Sequence, residues 1–207
     1  MVDPRHHWEQ VYETKTADAV SWFQTRPNTS LAFIADSGIA LDAPLIDVGG
    51  GASTLVDHLL DLRHTDVSVL DISSRALAQT KARLGVTKAR RVHWLVQDVT
   101  HFAPTRRYAL WHDRAVLHFL TDESVRSAYV EAVRRSVAPG GTVILATFAA
   151  NGPTQCSGLQ VARYDADALS ALFGSEFERM AAARDMHVTP WGSTQAFTYL
   201  RLRRRDD

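Results

Sequence analysis

Short apolar runs recur through the middle of the chain, each stopped by glycine or by an acidic residue and most followed by a stretch with helical spacing. Leu45-Ile46 and Val48 halt at Gly49-Gly50-Gly51, after which Leu55 to Leu60 reads as a helix. Val67-Ser68-Val69-Leu70 ends at Asp71, and Val92-His93-Trp94-Leu95-Val96 runs into Gln97-Asp98-Val99. Alternating strands and helices predict a mainly parallel sheet. The pattern gives strands at 44–48, 67–70, 91–96, 108–112 and 142–149, and helices at 53–62, 74–84 and 122–137. A loop at 150–163, a helix at 165–173 and two strands near 177–188 and 194–203 follow, the last two joined at a turn marked by Pro190 and Gly192-Ser193. Trp8, Val11 and Tyr12 have amphipathic spacing, and Ser30 is placed to cap a helix carrying Leu31, Phe33 and Ile34. The expectation is one α/β domain over 1–207, Rossmann-like, with seven strands and helices on both sheet faces. Residues 6–35 form an N-terminal helical cap, 44–149 the cofactor-binding core, and 150–207 the closing loop, helix and strand pair.

The glycine turn changes this from a fold to a site. Glycines let a backbone turn sharply and approach a ligand without Cβ clashes. Asp71, twenty residues past Gly51, stands where a carboxylate accepts both ribose hydroxyls of an adenosine. The spacing lacks the third glycine of a pyrophosphate-binding loop, and Ser53 and Thr54 fill that region. Asp47, just before the loop, repels a pyrophosphate and attracts a cationic amino-acid group. S-adenosylmethionine carries an ammonium and a sulfonium and no phosphate, so the charge logic favours it over a nicotinamide dinucleotide. Asp98, a third acid at a strand end, suits the adenine amino group. Taken alone, the glycines also fit a tight turn in an α/β core.

Here the chain resembles the class I S-adenosylmethionine-dependent methyltransferases, over about residues 44–149. Asp47-Val48-Gly49-Gly50-Gly51 resembles the first family motif, Val69-Leu70-Asp71-Ile72-Ser73 the second and Gln97-Asp98-Val99 the third, while Pro139-Gly140-Gly141 resembles the turn before strand five. Glycine at the middle variable position of the first motif departs from the usual pattern harmlessly. The full chain is similar to small bacterial members with W-x-x-x-Y, S-W-[FY]-Q, H-D-R-A and C-S-G-L segments. The resemblance implies a sheet closed by one antiparallel strand and gives Trp8 and Tyr12 the role of covering the cofactor. The implied cofactor set is Trp8, Tyr12, Trp22, Asp47, Gly49, Gly50, Gly51, Ser53, Asp71, Ile72, Ser73, Asp98, Val99 and His112.

An acceptor must approach from the strand ends. Trp111-His112-Asp113-Arg114 and His118 follow strand four in this reading. His118 and Asp113 are the candidate bases, His118 because imidazole titrates near neutrality; an internal network is the competing reading, with Asp113 paired to Arg114. Arg114, Arg163 and Tyr164 are candidate holders of an anionic acceptor, against a reading in which Tyr164 packs on the core and Arg163 pairs with an acid. Cys156 reads as inert, since methyl transfer needs no enzyme nucleophile. No ligand spacing for a metal appears.

Composition trims the alternatives. The 207 residues are 45% hydrophobic, with 23 basic against 23 acidic side chains. Such a balance argues against a nucleic-acid partner. One cysteine excludes an internal disulfide, and no 18-residue apolar stretch or leader is visible, so a cytoplasmic location without a membrane anchor is expected. The function that emerges is in-line methyl transfer from S-adenosylmethionine to a small thiol, amine or carboxylate. The alternatives are a protein-lysine acceptor, a non-catalytic module that binds the same molecule, and a nucleotide-dependent oxidoreductase. Oligomeric state stays open.

Overall fold

The computed structural model describes residues 3–206, so the two N-terminal residues and the last residue of the expected domain lie outside the described residues. In chain order the elements are α1 (Pro4–Thr14), α2 (Asn28–Ala35), β1 (Leu45–Val48), α3 (Leu55–Asp61), β2 (Val67–Asp71), α4 (Ser74–Ala89), β3 (Val92–Val96) and β4 (Tyr108–Arg114). Then come α5 (Glu123–Ser136), β5 (Val137–Phe148), a small hairpin of β6 (Gln155–Cys156) and β7 (Leu159–Gln160), α6 (Ala166–Ala171), β8 (Phe177–Val188) and β9 (Thr194–Arg204). Local chemistry explains the helix starts. Asp3 accepts the Arg5 amide at the head of α1, Ser73 accepts the Ala76 amide at α4, and Asp122 accepts the Ser124 and Val125 amides at α5.

Seven strands lie in the order β3-β2-β1-β4-β5-β9-β8. All run parallel except β9, which is antiparallel to both β5 and β8. β1 pairs with β2 on one side and β4 on the other, so the strand order reverses there, and the crevice outside the strand ends at that point is where open α/β sheets hold ligands. Each sheet face has its own core. Leu31, Phe33 and Ile34 of α2, Leu55 and Leu59 of α3 and Leu77 of α4 pack on one face. Tyr129, Val130 and Val133 of α5 with Leu169 of α6 and Phe173 pack on the other.

Several expected boundaries move, each for a visible reason. Asp113 and Arg114 belong to β4 rather than to the segment after it, because Asp113 pairs with Val48 and Arg114 with Ala146 in the sheet. β5 starts five residues early and carries the expected Pro-Gly-Gly turn inside it; the pairing slips between Tyr108 and Leu110, and Gly140 takes a φ of 69°. Ser30 does not cap α2. The helix begins two residues earlier, and Ser30 lies inside it, fully buried, with its hydroxyl turned to His112. The expected loop after β5 contains the β6–β7 hairpin, turned through Ser157 and Gly158 at positive φ. No helix among the described residues is long and apolar enough to cross a membrane.

Candidate active site

The β1 turn is built around two carboxylates. A Cβ at Gly50 would collide with the Asp47 carboxylate, and one at Gly51 with the Asp71 carboxylate, so only glycine lets the backbone pass this close. Asp71 Oδ2 accepts the Gly51 amide at 2.9 Å and Oδ1 accepts the Ser73 amide at 2.8 Å, which ties the ends of β1 and β2 together. Burial pushes the Asp71 carboxyl up to about 6; the two amide hydrogen bonds oppose that rise.

Asp47 is almost wholly buried. Its Oδ1 accepts from His112 Nδ1 at 2.7 Å, while Oδ2, equally buried, has no partner. A carboxylate oxygen only accepts, so His112 carries its proton on Nδ1 and faces Ser30 Oγ through Nε2 at 2.9 Å. Ser30 in turn lies 3.3 Å from the Tyr199 hydroxyl, which accepts from Arg114 Nε at 3.1 Å. One buried chain, Asp47–His112–Ser30–Tyr199–Arg114, therefore crosses from β1 through β4 and α2 to β9.

Above the turn sits the N-terminal cap. Trp8 makes edge contacts with Trp22 (ring centroids 5.7 Å apart) and Phe119 (5.0 Å), and Tyr12 packs on both tryptophans. Under this cluster lies a cavity of about 40 Å³ whose lining includes Tyr12, Trp22, Asp47, Gly49, Gly50, Ser53, His112 and Arg114. Glu9 of α1 latches the cap to the head of α4: its carboxylate accepts the Ser74 and Arg75 amides and the hydroxyls of Ser73 and Ser74 at 2.7–3.2 Å.

Comparison with known proteins points in the same direction. The family described as a methyltransferase domain matches residues 46–143, the stretch that holds the turn and all three strand-end acids. That stretch is similar to methyltransferase domains. No curated protein sequence matches the chain. Solved structures show the same fold across nearly its whole length. A protein studied for conversion of a disulfide bond into a thioacetal group during echinomycin biosynthesis superposes with a TM-score of 0.79 at 18% identity, over 98% of this chain and 93% of that one. A methyltransferase from Anabaena variabilis gives 0.74 at 15% identity, over 99% and 96%. The N-methyltransferase NodS from Bradyrhizobium japonicum gives 0.72 at 15% identity, over 95% and 97%.

The residues expected on the cofactor side fall into two groups. Tyr12, Trp22, Asp47, Gly49, Gly50, Ser53 and His112 share the cavity under the cap; Trp8 does not line it but packs on Tyr12 and Trp22, and Gly51 lies beside it. Asp71, Ile72 and Ser73 lie at the end of β2 and Asp98 and Val99 after β3; Ile72 is half-buried, and Ser73 and Val99 are buried. Asp98 Oδ1 accepts the Thr100 amide at 2.8 Å and hydroxyl at 2.7 Å, and its Oδ2 lies 3.4 Å from His101, so this carboxylate also caps its own turn.

On the acceptor side the structure corrects four expectations. Asp113 is not a free base: it accepts the Val116 and Leu117 amides and the Tyr129 hydroxyl, so it shapes the turn after β4 and anchors α5. Burial raises its carboxyl to about 6. His118 is not exposed to a proton donor. It is fully buried among Phe119, Phe148 and Phe197, its Nδ1 accepts the Phe148 amide at 3.2 Å, and burial, helped by the Arg114 charge, lowers it to about 3. Arg163 is exposed and donates to the Gly152 carbonyl, and Tyr164 packs in the second core with its main chain bound to Phe148 and Thr198; neither lines the cavity. Arg114 does line it, held through Tyr199 and the Trp22 carbonyl rather than paired with Asp113. Cys156 is buried 3.7 Å from Ser21 Oγ, and burial raises its thiol, which suits an inert residue. Among the described residues no cluster of metal-ligating side chains occurs.

Sequence reasoning missed Glu9, Ser30 and Tyr199. Glu9 sits one position after Trp8 in an amphipathic helix, where a carboxylate reads as solvated. Nothing local to Ser30 or Tyr199 signals a partner more than eighty residues away.

Proposed function

We propose that the chain transfers a methyl group from S-adenosylmethionine to a compact small-molecule acceptor, a thiol, amine or carboxylate. One observation carries the assignment of the donor to this site. Asp47 Oδ2 is buried and unpaired beside the glycine turn, at the reversal point of the sheet, where a buried acceptor without a donor costs about 1–3 kcal/mol. A cationic ammonium satisfies that oxygen and a pyrophosphate does not. Asp47 would hold the amino-acid end, Asp71 the ribose, the segment Asp98–Val99 the adenine, and Trp8, Tyr12 and Trp22 the face away from the sheet. The aromatic faces also suit a sulfonium.

When bound, the donor supplies an electrophilic methyl group on sulfur. The chain itself contributes alignment and exclusion of water. Asp113 and His118 are both engaged away from the cavity, so this reading assigns neither of them the removal of a proton from the acceptor. The compact cap supports a small acceptor. The neighbours NodS and MtfA, a glycopeptide N-methyltransferase, and an N1-methyltransferase of didemethyltoxoflavin from Burkholderia thailandensis support this class as well. A balanced net charge supports the exclusion of nucleic acid, and a cytoplasmic location fits the lone buried cysteine. The test is incubation with methyl-labelled donor and a panel of thiols, amines, carboxylates and proteins. Label should move to at least one small molecule; transfer to proteins alone, or donor binding with no transfer, overturns the reading.

A further inference from the structure

The carboxyl edge of the sheet carries a second and larger hollow beside the cavity under the cap. β8 and β5 both pair antiparallel with β9, so the end of β8, Asp185 to Val188, lies on the same edge as the glycine turn. With the segment between α1 and α2 it borders an open cleft of about 660 Å³, within the ~300–1,000 Å³ of small-molecule sites. Phe23 and Gln24 line both hollows, so that segment is their common wall. The wall is pinned from three elements. Thr54, at the head of α3, donates to the Gln24 carbonyl at 2.8 Å, Arg114 of β4 to the Trp22 carbonyl at 2.9 Å, and His187 Nε2 of β8 to the Ser21 carbonyl at 2.6 Å.

The lining of the cleft combines apolar surface with hydrogen-bond acceptors that lack donors. Met186 and Val188 are 58% and 59% exposed, and with Phe23 and Pro190 they leave apolar area in water for a ligand to cover. The carboxylate of the half-buried Asp185 has no hydrogen-bond or ion-pair partner among the described residues. Gln24 Oε1 is buried and unpaired as well. Positive charge in the lining is already spoken for. Arg26 Nη1 meets His58 Nδ1 at 3.2 Å, and Asp18 balances the Arg26 charge. Burial lowers His187 below its usual value, with the Arg114 charge acting the same way, so this imidazole adds no charge at neutral pH. A free carboxylate beside apolar surface selects a ligand with a charged N–H group and an apolar body. We infer that this cleft is the acceptor's binding site and takes a compact amphipathic amine, with its charged nitrogen on Asp185 and its apolar body on Phe23, Met186 and Val188. This rests on the methyltransferase reading above and narrows it: the acceptor carries a cationic nitrogen that positions it, whichever atom is methylated.

The experiment measures binding, so that it does not depend on finding the true acceptor. Wild-type protein saturated with S-adenosylhomocysteine is titrated calorimetrically with matched amines, alcohols and acids (phenethylamine, 2-phenylethanol and 3-phenylpropionate; tryptamine, tryptophol and indole-3-propionate). At least one amine should bind about tenfold or more tightly than its alcohol and its acid. Asp185→Asn keeps the shape and removes the charge, and should cut that preference to about threefold or less. Asp185→Glu keeps the charge and should retain it. Glu178→Gln removes the same charge from the far end of β8, outside the cleft, and should also retain it. None of the three variants should change S-adenosylhomocysteine affinity. Equal binding of amine, alcohol and acid, or no binding of any amine, overturns the cleft's assignment and leaves the methyl-donor reading standing. A preference that survives Asp185→Asn, or that falls as far in Glu178→Gln, shows that this carboxylate does not select the ligand and overturns it too. Failure of S-adenosylhomocysteine itself to bind wild-type protein is the separate result that refutes the underlying function, and the acceptor role of the cleft with it.

Discussion

At the scale of single residues, the site is governed by what burial does to charge. Asp71 holds two backbone amides while burial raises it to about 6. Removing its side chain as Asp71→Ala should weaken S-adenosylhomocysteine binding by about 1–3 kcal/mol in calorimetry, the cost of leaving buried partners unpaired. In the wild type, affinity should fall as pH drops below about 6, because the protonated carboxyl loses an acceptor for the ribose. His118 works in the opposite sense. Its folded value of about 3 lies below the unfolded 6.5, so its contribution to stability is present above pH 6.5 and is lost as pH falls toward 3. The stability advantage of wild type over His118→Asn in urea should therefore shrink by about 2 kcal/mol between pH 7 and pH 5. An advantage independent of pH would show that His118 is not held neutral. Sequence gives the types and spacing of Asp47, Asp71 and Asp98 plainly. It hides that His118 and Asp113 are sealed in, because both look like polar residues after a strand until β4 is seen to extend through Arg114.

At the scale of elements, α1 is the part whose position controls the site. The cavity of about 40 Å³ beneath it takes in the glycine turn and Asp47 but neither Asp71 nor Asp98, so only the amino-acid end of the proposed donor falls under α1. The Glu9 latch on α4 and the ion pair of Glu13 with Arg75 hold α1 in place, and Gln79 ties the main chain at Tyr12 and Lys15. Glu9→Gln removes a charge from four hydrogen bonds at a helix N-terminus. Amide exchange in residues 4–14 should then speed up about tenfold, corresponding to ~1.4 kcal/mol. Unaltered exchange would mean that packing of Trp8 and Tyr12 alone closes the cap. The amphipathic spacing of Trp8, Val11 and Tyr12 makes this helix legible in the sequence, but not what it docks on, since the Glu9 partners come from sixty-four to sixty-six residues further on. The same holds for α2, whose predicted cap residue Ser30 is drawn inward by His112.

At the scale of the whole molecule, the sheet order β3-β2-β1-β4-β5-β9-β8 carries the function, because it opens a crevice next to β1. The strand runs and intervening helices make a mainly parallel sheet readable from the apolar pattern, and the resemblance adds one antiparallel strand, but the order of the strands comes from their pairing in space. The β6–β7 hairpin was not readable: two-residue strands leave no periodic signal. A ligand that bridges β1, β2 and the cap binds the folded chain alone, so S-adenosylhomocysteine at a hundredfold excess over its dissociation constant should raise the unfolding free energy by ~2.7 kcal/mol. The central claim, that this crevice holds a phosphate-free cationic adenosine compound, is tested most directly by calorimetric titration of wild-type protein with S-adenosylmethionine and, separately, with a nicotinamide dinucleotide. The account requires saturable binding of the first at one per chain, abolished or strongly weakened in Asp47→Ala, and none of the second. Binding of the dinucleotide with no heat from S-adenosylmethionine would contradict it.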